Sequence, residues 1–288
     1  TGEIYYLTET GEINKTDADG NRQSTGSRAT GNLSYLKPSS TGSLVLVAFG
    51  YPQTTFAIYN LAGKTWQAMP AGTTAAAWDP NSDNRLVYLK DNGETSRLNL
   101  LTLADGKSRE LLRLAQKDLD LDWASADLIY FKERPSAQTA SSLRSYNLNT
   151  GTIKTGLSEA PALMVKWGPG NATGLKWVAE LSIIDNNNRT LAGLSLKTIP
   201  SKCAFAKATT IYCAAPVANL SLAAFPDDYL KKELLFRDSI YTISLEGFTT
   251  FFNAEIQNEN LDIEHLEVNG DQLIFLNRLD KKIYSLPL

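Results

Sequence analysis

The chain has 288 residues, 43% of them hydrophobic, 9% aromatic and 20% charged, which is ample material for a core and too little charge for a disordered polymer. Twenty-eight Lys and Arg stand against 31 Asp and Glu for a formal net charge of −3, and no segment concentrates basic residues into a phosphate-binding stripe, so nucleic acid is not an expected partner. No apolar run of about 18 residues occurs, the N-terminus shows no basic-then-apolar leader, and a removed N-terminal anchor is the one expected route to a membrane.

Taken in chain order, the N-terminal stretch GEIYYLTETGEINKTDADGNRQS predicts three strands that match the second, third and fourth strands of a repeating unit. The whole unit becomes visible next. Its first strand ends in an aromatic or apolar residue followed by small, polar or Pro residues: LSYLKPSS at Tyr35, AAAWDPNS at Trp78, LDLDWASA at Trp123, LMVKWGPG at Trp167, KCAFAKAT at Phe205 and IEHLEVNG at Leu266. The successive spacings are 43, 45, 44, 38 and 61 residues, the last one holding an insertion.

Each first strand is followed by a dense β-branched and aromatic strand: LVLVAF, RLVYLK, DLIYFK, LKWVAE, TIYCAA and QLIFLN. Strands apolar on both faces belong inside a packed sheet. A third, alternating strand then closes on Ala62-Gly63, Asp105-Gly106, Thr150-Gly151 or Glu246-Gly247, where Gly is expected to take the positive φ of a tight hairpin into a fourth, outermost strand. The C-terminal piece from Leu261 supplies only a first, second and third strand.

Four antiparallel strands repeating every forty-odd residues predict an all-β fold, a β-propeller. Seven blades are expected in a single domain spanning residues 1–288, with the ring closed by the partial blades at the two ends. Six blades, with the partial units merged, is the alternative. The Trp78-Asp79-Pro80 turn, the aliphatic–Tyr second strands and the third strands around Tyr59-Asn60-Leu61 and Tyr146-Asn147-Leu148 resemble the WD-repeat-like propellers of the TolB type over nearly the whole chain. That resemblance implies a propeller that binds other proteins rather than a particular reaction. The paired cysteines and the Phe225-Pro226-Asp227-Asp228-Tyr229 insertion are more loosely similar to exported propellers of candidate-phylum bacteria.

Cys203 and Cys213 are the two cysteines of the chain. If CAFA and TIYCA form a hairpin turning around residues 207–210, they stand opposite each other, within reach of a disulfide. A disulfide implies an oxidising, extracytoplasmic compartment, periplasmic, cell-surface or secreted. No metal and no cofactor are expected, because two cysteines lack further soft ligands and the one histidine, His265, is distant in sequence.

Trp78, Trp123 and Trp167 recur at one place in the repeat and are expected to pack between blades rather than stack on a ligand. His265 is expected to be a hydrogen-bonded structural histidine on an innermost strand. No G-x-S-x-G elbow and no repeated S-x-D-x-G-x-T-W turn occurs, so no catalytic residue is assigned and the chain is not expected to be an enzyme. The alternative is a carbohydrate-active or hydrolytic propeller with carboxylates at its central channel.

Loops between second and third strands should share one face of such a fold, and the longest is the insertion at residues 216–237. Its Pro226-Asp227-Asp228 start, followed by YLKKELLF, predicts a short helix with acidic residues in its first turn. Phe225, Asp227, Asp228 and Tyr229 are the candidate partner-binding residues, and the expected partner is another protein.

Overall fold

The computed structural model describes all residues except 1–3, 9, 18–20, 29–32, 51–53, 169–171, 208, 217–224 and 253–259, and also leaves aside the side chains of 7, 27, 28, 33–35, 158, 159 and 207. Tyr35, the first of the recurrent aromatic positions, has its side chain outside the described set.

The structure is a β-propeller of seven antiparallel sheets, numbered here as blades in chain order. Blade one contains β1 (Ile4–Leu7), β2 (Glu12–Thr16) and β3 (Arg22–Arg28). Blade two contains β4 (Leu33–Pro38), β5 (Leu44–Phe49), β6 (Thr55–Asn60) and β7 (Thr65–Ala68), and blade three β8 (Thr73–Asp79), β9 (Ser82–Asp91), β10 (Ser96–Thr102) and β11 (Ser108–Leu114). Blade four is formed by β12 (Leu119–Ser125), β13 (Leu128–Glu133), β14 (Ala140–Asn147) and β15 (Thr152–Pro161), and blade five by β16 (Met164–Trp167), β17 (Thr173–Val178), β18 (Glu180–Asp185) and β19 (Thr190–Leu194). Blade six holds β20 (Cys203–Lys207), β21 (Thr210–Pro216), β22 (Asp238–Ser244) and β23 (Thr249–Phe252), and blade seven β24 (Ile263–Asn269), β25 (Gln272–Asn277) and β26 (Lys282–Pro287). Among the described residues, the first and last blades have three strands and the five between them four.

Consecutive strands within a blade pair as antiparallel neighbours, most of them through short turns that leave no room for another order; β21 and β22 pair across the long insertion. Burial follows that order. In blade two the second and third strands run iBBBBi and eBBBBi from exposed to buried positions, whereas the fourth strand keeps only Trp66 half-buried. The apolar runs read from the sequence are thus the middle of each sheet, covered on both faces.

The chain divides into two compact units, Thr1–Arg134 with Arg144–Lys154, and Pro135–Leu143 with Thr155–Leu288. Within the first unit, Ile13 packs on Val45, Val47 and Tyr59 between blades one and two. Leu46, Phe56 and Ile58 meet Trp78, Leu86 and Tyr88 between blades two and three, and Leu89 and Leu98 meet Trp123 and Phe131 beyond them. The second unit repeats the arrangement: Leu175, Trp177 and Ile183 lie against Ile211 and Ile243, and Ala214 and Ile240 against Ile263, Leu273 and Phe275. Within each unit a blade buries its apolar face on its neighbour, as a repeat fold requires.

Trp78, Trp123 and Phe205 occupy those seams. Trp78 donates its indole N–H to the Lys37 carbonyl of blade two at 3.1 Å, and the Arg85 guanidinium lies 5.7 Å above the Trp123 ring of the following blade. Phe205 of blade six lies so close to Gly168, at the end of blade five's inner strand, that a Cβ there would stand 2.7 Å from the ring. Gly168→Ala is therefore expected to cost about 1–3 kcal/mol in denaturant unfolding; a loss below a few tenths would show that the two inner strands are not in contact.

Two of the four expected glycine turns form as read. Gly106 (φ 66) and Gly151 (φ 67) hold the left-handed position, but in blades two and six that conformation passes one residue on, to Lys64 (φ 52) and Phe248 (φ 51). In blade two the cause is local: the Asn60 side-chain oxygen accepts the Gly63 N–H at 2.8 Å and moves the bend forward.

Candidate functional site

The insertion between β21 and β22 is described from Phe225 onward. Pro226 precedes the single helical turn α1 (Asp227–Leu230), whose first turn carries Asp227 and Asp228. The helix does not continue through the Lys-Lys-Glu-Leu-Leu-Phe run as its composition suggests. Lys232 turns to φ 65, and the Glu233 and Leu234 N–H groups donate back to the Asp228 carbonyl, closing the turn. The chain is thereby redirected so that Phe236 faces inward, and tertiary packing overrides helix propensity.

Four aromatic rings fix the insertion in place. Phe225 meets Trp177, the penultimate residue of β17, edge to face at 5.0 Å, and lies 6.2 Å from Tyr229 and 6.0 Å from Phe236. Tyr229 stacks on Phe236 with centroids 5.0 Å apart and planes 11° from parallel. Asp227 secures the other side by accepting from Ser136 Oγ and the Ala137 N–H, both at 3.2 Å. Ser136 lies in the connection between β13 and β14, so this connection and the insertion meet.

Of the four candidate partner-binding residues, Phe225 and Tyr229 are each 5% exposed and point inward, while Asp227 and Asp228 are half-buried. The apolar side chains that the insertion turns outward are Leu230, 42% exposed, and Leu235, 53%. A single turn divides the apolar side chains of the insertion between interior and surface.

Beneath the rings lies a group of charges with no counterpart in the sequence reading. Lys202, the last residue of a 3-10 turn at Pro200–Lys202, donates to Asp238 at 2.6 Å and to Asp262 at 3.0 Å. Arg278, in the turn between β25 and β26, reaches Asp262 at 3.2 Å and Glu264 at 3.7 Å. Lys202, Asp238, Asp262 and Arg278 are all buried, and the two cations lie against the rings: Lys202 4.6 Å from the Phe236 centroid and Arg278 4.3 Å from that of Tyr229. Backbone groups complete the tie, with Phe236 N–H donating to Asp262 at 3.2 Å and Ile263 N–H to Asp238 at 2.7 Å. Burial pushes the Asp238 carboxyl up to about 6 against the pull of Lys202, and burial together with the Asp262 charge pushes the Tyr229 hydroxyl well above its ordinary range.

Asp122 and Glu267 are paired as well. Asp122 of β12 pairs with Lys132 at 3.3 Å and Lys37 at 3.5 Å; burial raises its pKa, but the two lysines together bring it below the usual range. Lys166 donates to the Cys203 carbonyl at 2.6 Å and stands 3.9 Å from Glu267. His265 is not the structural histidine expected: the β24 ladder bulges between Glu264 and Glu267, and the imidazole is turned out, 79% exposed and 3.9 Å from Glu264. Among the described residues no group of three or more His, Cys, Asp or Glu side chains is arranged to hold a metal, and no helix is long and apolar enough to cross a membrane.

Cys203 and Cys213 are direct register partners in the β20–β21 ladder, 4.0 Å apart at Cα, and are joined by a disulfide buried in the core. Intact mass after alkylation without reductant is expected to show both thiols protected; alkylation of either in the folded protein would contradict the bond.

No protein-family model matches the chain, and no curated protein matches it in sequence. Solved structures match it in fold. An oligogalacturonate lyase in complex with manganese aligns over 100% of this chain and 86% of its own, with a TM-score of 0.67 at 10% identity. The C-terminal WD40 domain of Sif2 aligns over 100% and 78%, with 0.61 at 10%, and TolB from Acinetobacter baumannii over 86% and 62%, with 0.56 at 11%. The chain spans 34% of the tricorn protease and 62% of TolB. At such identities the likeness is one of fold, and the chain is a seven-bladed β-propeller with the architecture that TolB and WD40 domains share.

Proposed function

We propose that this chain is a non-catalytic, extracytoplasmic interaction propeller that engages another protein through the loops of one face, centred on the insertion at residues 216–237. The observation that carries the reading is the way the insertion is held. Phe225 and Tyr229 anchor it from inside and Asp227 ties it to the neighbouring loop, while Leu230 and Leu235 remain at its surface. Ordered loops on a rigid sheet scaffold are where binding residues concentrate, and ordering them beforehand lowers the entropic cost of association.

The same fold serves a lyase and a protease as well as WD40 and TolB proteins, so the choice rests on the site. A carbohydrate-active or hydrolytic propeller finds less support. Asp238 and Asp262 converge, but on Lys202 and away from solvent, and Asp122 is shared by two lysines. The buried disulfide supports an oxidising compartment. All 288 residues, on this reading, form one domain whose first and last blades close the ring; coincident unfolding transitions by tryptophan fluorescence and circular dichroism are expected, and two separated transitions would oppose it.

The binding reading is tested by affinity capture from the native cell envelope with wild-type protein, Leu235→Asp, and Ile153→Asp on the exposed side of blade four. The partner's affinity is expected to fall at least about tenfold with Leu235→Asp alone. Equal retention by all three proteins would remove the insertion as the contact.

A further inference from the structure

The insertion is held by a charge set that does not balance. Two cations, Lys202 and Arg278, serve three carboxylates, Asp238, Asp262 and Glu264. Arg278 is taken up by Asp262 and Glu264, so Lys202 is left between two aspartates whose side chains are 0% exposed. Asp238 Oδ1 has no hydrogen-bond partner, although Oδ2 accepts from Lys202 and from the Ile263 N–H. An ionised oxygen left unpartnered in the interior is costly, and a neutral carboxyl much less so. One proton on Asp238 leaves two cations facing two carboxylates.

The same residues carry the attachments of the insertion. Asp238 opens the strand that leaves it, Phe236 is bound through its N–H to Asp262, and the Tyr229 ring is packed against Arg278, Lys202 and Phe236. The groups facing Asp238 are Lys202 from the 3-10 turn, Asp262 from the segment just before β24 and Tyr229 from α1; Arg278 from the β25–β26 turn and Glu264 from β24 stand beyond Asp262. His265 stands on the solvent side of Glu264.

We propose that this cluster is a proton-operated latch: protonation of Asp238 closes the insertion onto blades six and seven, and its ionisation loosens it. The inference concerns how the insertion is held and does not depend on what the insertion binds. The sign follows from the pKa. The folded value, about 6, lies above the ordinary 3.8, so the stabilisation is complete below 3.8 and is lost as pH rises through 6.

Hydrogen exchange of the full chain, followed by mass spectrometry of peptides covering residues 225–237 and corrected for intrinsic exchange, tests it. Opening in the wild-type protein is expected to rise roughly 30-fold between pH 4.5 and pH 8. Asp238→Asn is expected to stay closed across that range, and His265→Gln to behave as wild type. A pH-independent wild-type profile would overturn the latch without any variant, as would an Asp238→Asn protein that kept the dependence. Loss of the dependence in His265→Gln would assign the proton to the imidazole instead and equally remove the proposal.

Discussion

Lys202→Met is expected to lower the free energy of unfolding at pH 7 by about 3–5 kcal/mol, the range found when one partner of a buried ion pair is removed. The methionine retains most of the side chain's volume, so the loss is electrostatic. It leaves Asp238 and Asp262, both without solvent contact, with no ammonium between them. Denaturant midpoints at constant slope measure it. The deficit should shrink as pH is lowered to about 4.5, because Asp238, whose pKa burial raises to about 6, is then protonated. Adding Asp238→Asn and Asp262→Asn should recover part of it at pH 7. A Lys202→Met protein as stable as wild type would mean that water reaches these groups, and the interior placement of the cluster would be wrong.

Phe225→Ala is expected to cost about 3–5 kcal/mol, as truncation of a buried phenylalanine generally does. The ring is 5% exposed and touches Trp177, Tyr229 and Phe236, so its removal opens a cavity where three aromatic neighbours meet. The damage should also be local: exchange in residues 225–237 should rise more than exchange in β9 or β10, which lie in the other compact unit. By contrast Leu235→Ala, at a side chain 53% exposed, should change stability by no more than about 0.5 kcal/mol. If both substitutions cost the same, the division of the insertion into interior and surface sides does not hold.

The repeat was legible because its marks are local. An aromatic before a small-residue turn, a strand apolar on both faces and a short hairpin each follow from neighbouring residues, and Trp78 and Trp123 recur because blade packing recurs. The register of Cys203 and Cys213 was legible for the same reason: one short hairpin fixes it. Lys202, Asp238, Asp262 and Arg278 meet from four separate segments, and nothing near any one of them names the others. Their one sequence signal is a carboxylate at the edge of an apolar strand, as in Asp238-Ser239-Ile240 and Leu261-Asp262-Ile263.

Where local signals did mislead, a tertiary contact decided. The insertion has the composition of a helix of two or more turns, yet Phe236 must reach Tyr229 and Asp262, and the chain bends at Lys232 to bring it there. The expected histidine environment failed because the bulge in β24 reverses which side chains face inward over two residues. The hairpin glycines of blades two and six were displaced by one residue where a neighbouring hydrogen bond or turn geometry set the bend first.

The insertion face is the proposed contact surface, and site-specific photocrosslinking in the native cell envelope tests that most directly. A photoreactive residue at Leu235 should give a discrete protein adduct, and the same residue at Ile153, 43% exposed on blade four, should not. An adduct at Ile153 with none at Leu235 would place the binding surface elsewhere and contradict the proposed function.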